Sequence, residues 1–81
     1  MIEGQFTATG TSPEVQATEI DLSVSGTFVG SIAVQRKIGD SWRTVEEITA
    51  ANERVFKNAQ ARGFRLECTA HTSGTIDYAY G

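Results

Sequence analysis

The sequence predicts an all-β fold: a small single-domain antiparallel β-sandwich, jelly-roll or Ig-like, of about seven to eight short strands. Three observations predict it. Residues 64–70 place Phe64, Leu66, Cys68 and Ala70 on one parity and Arg65, Glu67 and Thr69 on the other. Residues 75–80 resume that rhythm with Ile76, Tyr78 and Tyr80 against Thr75, Asp77 and Ala79. Successive side chains of a strand point to opposite faces, so this alternation buries one face and solvates the other. Similar short apolar runs recur along the chain, separated by Gly, Ser and Pro turn signals at the spacing of a sandwich or barrel. The whole sequence, 1–81, is the length of one domain.

The elements follow in order. Phe6 and Ala8 alternate with Gln5, Thr7 and Thr9 as a first strand, which Gly10-Thr11-Ser12-Pro13 breaks. Pro13 has no amide proton and belongs in a turn or at a strand start. Val15 and Ala17 mark a short second strand, and Ile20, Leu22 and Val24 a third that ends at the turn Ser25-Gly26-Thr27. Phe28 to Ile38 is the longest strand candidate, with Phe28, Ile32, Val34 and Ile38 on one parity. Gly30, which has no side chain to pack, marks a bulge or a close backbone approach within it. Gly39-Asp40-Ser41 is a hairpin turn into a strand from Trp42 to Ile48, where Val45 opposes Trp42 in parity. Thr49 to Asn52 is a connection able to hold one helical turn. Arg54 to Asn58 reads as a strand and Ala59 to Gly63 as a loop, the alternative being a helix from Ala50 to Arg62. The Thr72-Ser73-Gly74 segment then closes a final hairpin between residues 64–70 and 75–80. The predicted core is Phe6, Leu22, Ile32, Val34, Phe64, Leu66, Cys68 and Ile76.

So small a domain buries roughly 60–65% of the surface of its unfolded chain and often needs a staple or a partner. One cysteine, Cys68, excludes an internal disulfide, and one histidine, His71, argues against a metal staple. Association is the remaining source of stability, so a homo-oligomer is expected. The start, Met1-Ile2-Glu3-Gly4, has neither a basic n-region nor an apolar h-region, and no apolar run approaches the ~20 residues of a membrane span. The expectation is a chain used without secretion and without a membrane.

The net charge is −3, unevenly placed. Residues 1–35 carry four acids and no base; residues 36–65 carry all seven bases against four acids; the rest adds Glu67 and Asp77. An acidic chain with pI near 4.9 argues against nucleic acid as a partner. The blocks either scatter over a solvated surface or form opposite patches that match between neighbouring copies.

Candidate sites are few. Cys68, His71 and Asp77 contain the types of a nucleophile, a base and its orienter, but Cys68 and His71 differ in parity and leave opposite faces. Trp42 with Tyr78 and Tyr80 offers an aromatic platform for a sugar or a base, against the plainer reading of core and rim packing. Arg36, Lys37, Trp42 and Arg43 flank one turn and form the candidate interaction surface. No glycine-rich phosphate loop, acidic calcium loop or glycosylation sequon is present, and no cofactor, catalytic residue or metal ligand is predicted.

Several segments together carry a resemblance: residues 6–12; Leu22 to Arg36 with its Gly26-Thr27-Phe28-Val29-Gly30 and Gln35-Arg36; Asp40-Ser41-Trp42 with Val45; Gly63 to Cys68; and Thr72 to Ile76. The chain resembles, from Phe6 to Tyr80, small virion structural proteins of tailed bacteriophages. That resemblance implies a non-enzymatic β-sandwich located in the virion and assembled in the bacterial host cytoplasm. It implies a capsid decoration or cement protein on the major capsid protein, with trimers favoured. Roles at the head-to-tail connection or in the tail, and a carbohydrate-binding module, are the alternatives. Proteins of the group it resembles commonly carry a longer glycine-bearing turn before the tryptophan than Gly39-Asp40-Ser41, so the resemblance implies no function for this turn.

Overall fold

The computed structural model describes residues 1–81 and is built from strands alone. Seven strands follow in chain order: β1 (Ile2–Phe6), β2 (Gly10–Thr11), β3 (Val15–Ser25), β4 (Phe28–Ile38), β5 (Ser41–Ile48), β6 (Asn52–Gly74) and β7 (Ile76–Tyr80). All pairings are antiparallel, in the order β1-β7-β3-β6-β4-β5, with β2 added to β6.

The organising element is β6, 23 residues long. Residues 52–64 pair with β3, and residues 64–74 pair with β4. One long strand thus belongs to two layers, β1-β7-β3-β6 and β2-β6-β4-β5, and their apolar faces meet in one core. The change of direction falls where the β3 register jumps from Ala17↔Arg62 to Glu19↔Lys57. Asn58 to Ala61 oppose the single residue Thr18 there, a bulge that bends the strand. The expected loop over 59–63 and the alternative helix over 50–62 are therefore both replaced by bulged strand. Ala59-Gln60-Ala61 has weak strand propensity, and cross-strand partners on either side override it. Thr49 to Ala51 holds a bend and no helical turn.

The expected closing hairpin does not form. β7 pairs with β1 and β3, not with β6. The chain leaves one layer at Gly74 and enters the other at Ile76. A second crossing, from β3 to β4, uses Gly26 and Thr27 beside it. Both glycines have positive φ, 85° at Gly74 and 101° at Gly26. A Cβ on Gly26 would lie 2.5 Å from the Thr75 carbonyl oxygen, and one on Gly74 would strike the Thr27 carbonyl. Only glycine meets both the left-handed backbone and the close approach.

Two expected strands, around Val15 and Ile20, are one strand. The first strand begins at Ile2, three residues before the alternation that starts at Gln5, and Thr7 to Thr9 lie outside it. Gly30 sits beside a register shift, and a Cβ there would be 2.5 Å from the Ala70 carbonyl oxygen. All eight predicted core residues are buried, joined by Ile20, Val24, Ile48, Tyr78 and Tyr80. Phe28 is only half-buried and Ile38 is exposed, because β4 runs past the core at both ends.

Ser12 closes a gap in the ladder. Between β2 and β3 the chain leaves β6, and Pro13 has no amide to donate. Ser12 takes over both edges of Leu66: its backbone amide donates to the Leu66 carbonyl at 2.8 Å, and its Oγ accepts from the Leu66 amide at 2.7 Å. The Ser12 hydroxyl lies 2.8 Å from the Tyr80 hydroxyl, which donates to the Pro13 carbonyl. The Leu66 amide and the Ser12 and Tyr80 hydroxyls are thus satisfied in one chain of bonds that links the two layers.

Candidate interaction surface

The candidate residues lie at the tip of the β4–β5 hairpin, which turns at Gly39-Asp40 with Gly39 at φ 60°. Its register pairs Arg36 with Arg43 and Lys37 with Trp42. Directly opposed residues share a face, so the four predicted residues divide into two pairs on opposite sides of the hairpin. Val45 has no partner, since Val34 pairs with Glu46 and Gln35 with Thr44. This bulge explains the mixed parity of β5 and leaves Val45 exposed.

Lys37 and Trp42 face outward. The Arg65 guanidinium stacks 4.3 Å from the Trp42 ring centre, and Lys37 Nζ lies 5.9 Å from it. Gly63 is the floor beneath them: a Cβ there would sit 3.1 Å from Glu14 Oε1, 3.2 Å from Lys37 Cβ and 3.3 Å from Trp42 Cη2, so the Glu14 carboxylate also borders this pair. Arg65 Nε donates to Gln35 Oε1 at 2.7 Å, and Gln35 Nε2 donates to Glu67 Oε1 at 3.4 Å. The chain Trp42–Arg65–Gln35–Glu67 covers this outer face and buries Gln35 on what would otherwise be an open sheet surface. Arg36 and Arg43 lie on the other side. Arg36 Nη1 donates to Asn58 Oδ1 at 2.8 Å, and Arg54 pairs with Glu46 at 2.8 Å. These two contacts span the side where the β4–β5 hairpin and the first half of β6 have no ladder between them.

The aromatic platform does not assemble. Tyr80 is 1% exposed and Tyr78 9%; they pack with each other and with Phe6, ring centres 5.9 Å and 4.9 Å apart. Trp42 is separate from them, with a guanidinium on its ring. The nucleophilic set does not assemble either. Cys68 is buried with Sγ directed at the Ala70 carbonyl, His71 Nε2 meets the Gly74 carbonyl at 2.7 Å, and Asp77 accepts from Gln5 at 2.7 Å. Burial pushes the Cys68 thiol upward, despite the Ala70 contact, which is opposite to what a nucleophilic thiolate requires.

The charge blocks of the sequence do not become faces as blocks: Glu14 of the acidic block lies in the groove with Lys37 and Arg62, and Glu53 of the basic block lies among acids. Two of the seven bases are ion-paired, Arg54 with Glu46 and Lys57 with Glu19. The other five, Arg36, Lys37, Arg43, Arg62 and Arg65, have no carboxylate partner and gather around the hairpin tip and the adjoining part of β6. Lys37 and Arg62 line one groove of about 280 Å³ with Glu14, Gln16 and Gly63. On the other layer, the register Glu3↔Ala79↔Ser23↔Glu53, with Asp21↔Val55 and Gln5↔Asp77↔Ser25, puts Glu3, Asp21, Glu53 and Asp77 on one outer face. None of these four carboxylates has a cation within ion-pair distance. Arg62 and Arg65 extend the predicted surface. The outward parity of Arg65 between Phe64 and Leu66 was the available signal for it; Arg62 lay in the segment expected to be a loop. In comparisons with known proteins, no family model, no curated protein and no solved structure matches the chain.

Proposed function

We propose that this chain is a non-enzymatic virion structural protein, a capsid decoration or cement protein that binds the assembled head and stabilises it. The phage assignment rests on the segment resemblance set out above. The binding part rests on one observation: a single end of the sandwich collects Trp42 and five bases without carboxylate partners. Arginine and tryptophan are over-represented among residues that dominate protein interfaces. The mechanism is mass action, because a protein that binds only the assembled shell lowers the free energy of that shell by its own binding. The core is filled by apolar side chains, and the residues able to do chemistry are engaged apart from one another. The carbohydrate-module reading loses its platform, since the tyrosines are internal and Arg65 covers Trp42. The connector and tail roles share the same surface logic and differ only in the partner.

Deleting the gene, or stripping the protein from purified particles, tests the cement role. Particles that lack it should lose infectivity at lower temperature and under osmotic shock, and should recover when the purified protein is added back. Unchanged particle stability would overturn the cement role. Stable heads that fail to join tails would put the connector role in its place.

A further inference from the structure

We propose that the basic tip of one copy docks on the acidic face of the next, so that the chain self-associates head to tail. The two patches are complementary and spatially separate. The tip carries Arg36, Lys37, Arg43 and Arg65 at one end of β4, β5 and the half of β6 that pairs with β4, with Arg62 beside them opposite Ala17 of β3, and its five bases outnumber the acids among them, Asp40 in the turn and Glu14 in the groove. The face carries Glu3, Asp21, Glu53 and Asp77 across β1, β7, β3 and the first half of β6. Within one molecule the two sets are held apart in a body 36 Å long: Arg36, Lys37, Arg43 and Arg65 belong to the layer of β4 and β5, and Arg62 lies opposite Ala17 near the start of β3, beyond the bulge that separates it from Asp21. Between molecules nothing prevents it.

Each patch also offers apolar surface. Ile38, 37% exposed, and Trp42 stand among the cations. Val55 is 57% exposed and Met1 85%, and both line a groove of about 450 Å³ with Asp21, Glu53 and Arg54, the last of these already paired with Glu46. The charges set orientation and encounter rate, and the burial of Val55 and Met1 against the neighbour's tip supplies the non-directional part of the attraction. Because the patches differ, the contact is heterologous: it closes into a ring when the rotation per copy allows, and otherwise gives an open chain. The inference extends the proposed role in an assembly. It needs no particle, so its failure in purified protein and the failure of particle binding are read separately.

The experiment is sedimentation and native mass spectrometry of the purified chain from about 20 mM to about 500 mM salt, over which the screening length falls from ~20 Å to ~4 Å. The wild type should form species larger than the monomer at low salt, and its association should weaken by about tenfold or more at high salt. A tip-reversed variant, Lys37→Glu with Arg43→Glu, and a face-reversed variant, Asp21→Lys with Glu53→Lys, should each be monomeric alone. Their equimolar mixture should associate again, since each then supplies the patch the other lacks. A monomeric wild type at low salt would overturn the proposal. So would variants that associate alone as the wild type does, or a mixture of folded variants that stays monomeric. Melting curves report whether the variants fold; if one does not, the salt series on the wild type still decides.

Discussion

Removing the Ser12 hydroxyl should destabilise the domain far more than a surface serine would. Bonds run from the Leu66 amide to Ser12 Oγ, from the Ser12 hydroxyl to the Tyr80 oxygen, and from the Tyr80 hydroxyl to the Pro13 carbonyl. Ser12 is 7% exposed and Leu66 3%, so water does not replace the lost partner. Ser12→Ala orphans the buried Leu66 amide, which costs about 1–3 kcal/mol, and it also removes the donor to Tyr80, worth about 1 kcal/mol net. The expected loss is about 2–4 kcal/mol, against about 4–12 kcal/mol for the stability of a domain of this length. Tyr80→Phe should cost less, about 1–2 kcal/mol, because Pro13 is exposed and its carbonyl turns to water. The double variant should cost less than the sum by about 1 kcal/mol, since both changes cut the same chain. Urea denaturation followed by tryptophan fluorescence measures all three, with Trp42 as the only tryptophan. A Ser12→Ala loss under about 0.5 kcal/mol, or strict additivity, would refute the view that this chain of bonds fastens β2 and β3 to β6.

Leu66→Ala should cost about 2–5 kcal/mol by the same measurement, since Leu66 is buried in the middle of the core. Gly74→Ala should cost about 2 kcal/mol or more, from the left-handed φ of 85° and the contact with the Thr27 carbonyl, whereas Gly39→Ala, with open space around it, should cost only about 1 kcal/mol. Alkali should destabilise the fold. Burial raises both the Cys68 thiol above its ordinary 9.0 and the Tyr80 phenol above its ordinary 10.0, the latter against an opposing contribution from Ser12. A group with a raised folded-state pKa contributes its full stability below the unfolded value and loses it as pH rises toward the folded value. Melting temperature should therefore hold from neutral pH to near 9.0 and fall beyond it, and Cys68→Ala with Tyr80→Phe should flatten that fall; an unchanged alkaline slope in this double variant counts against the assignment.

Parity located the core but not the partners. Phe64, Leu66, Cys68 and Ile76 were legible because burial depends on which side of its own strand a residue occupies, and alternation records that directly. Which strand lies alongside is a separate matter. The alternation of residues 64–70 and 75–80 suits a hairpin as well as it suits two strands in different layers, and only the left-handed glycine at position 74, packed on Thr27, sends β7 across to β3 and β1. The bend in β6 escaped for a related reason. Ala59 to Gly63 carry no strand pattern, so the segment read as a loop, yet the pairings that flank the bulge, Lys57 with Glu19 and Arg62 with Ala17, keep the chain extended through it.

The surface obeys the same division. Arg36, Lys37, Trp42 and Arg43 were found as a sequence cluster, and the register then assigned them to two sides of one hairpin. Arg62 and Arg65 joined them through space, because β6 passes under the tip at Gly63, where the missing side chain makes room for Lys37 and Trp42. Glu3, Asp21, Glu53 and Asp77 span most of the chain and have no local motif. They converge because β1, β7, β3 and the first half of β6 are neighbours in one layer and all four residues hold the outward parity. A linear tally of charge registers their excess of acid, but its concentration on one face comes from the crossover at Gly74. Without that crossing β7 would lie against the second half of β6, and Asp77 would leave the acidic face.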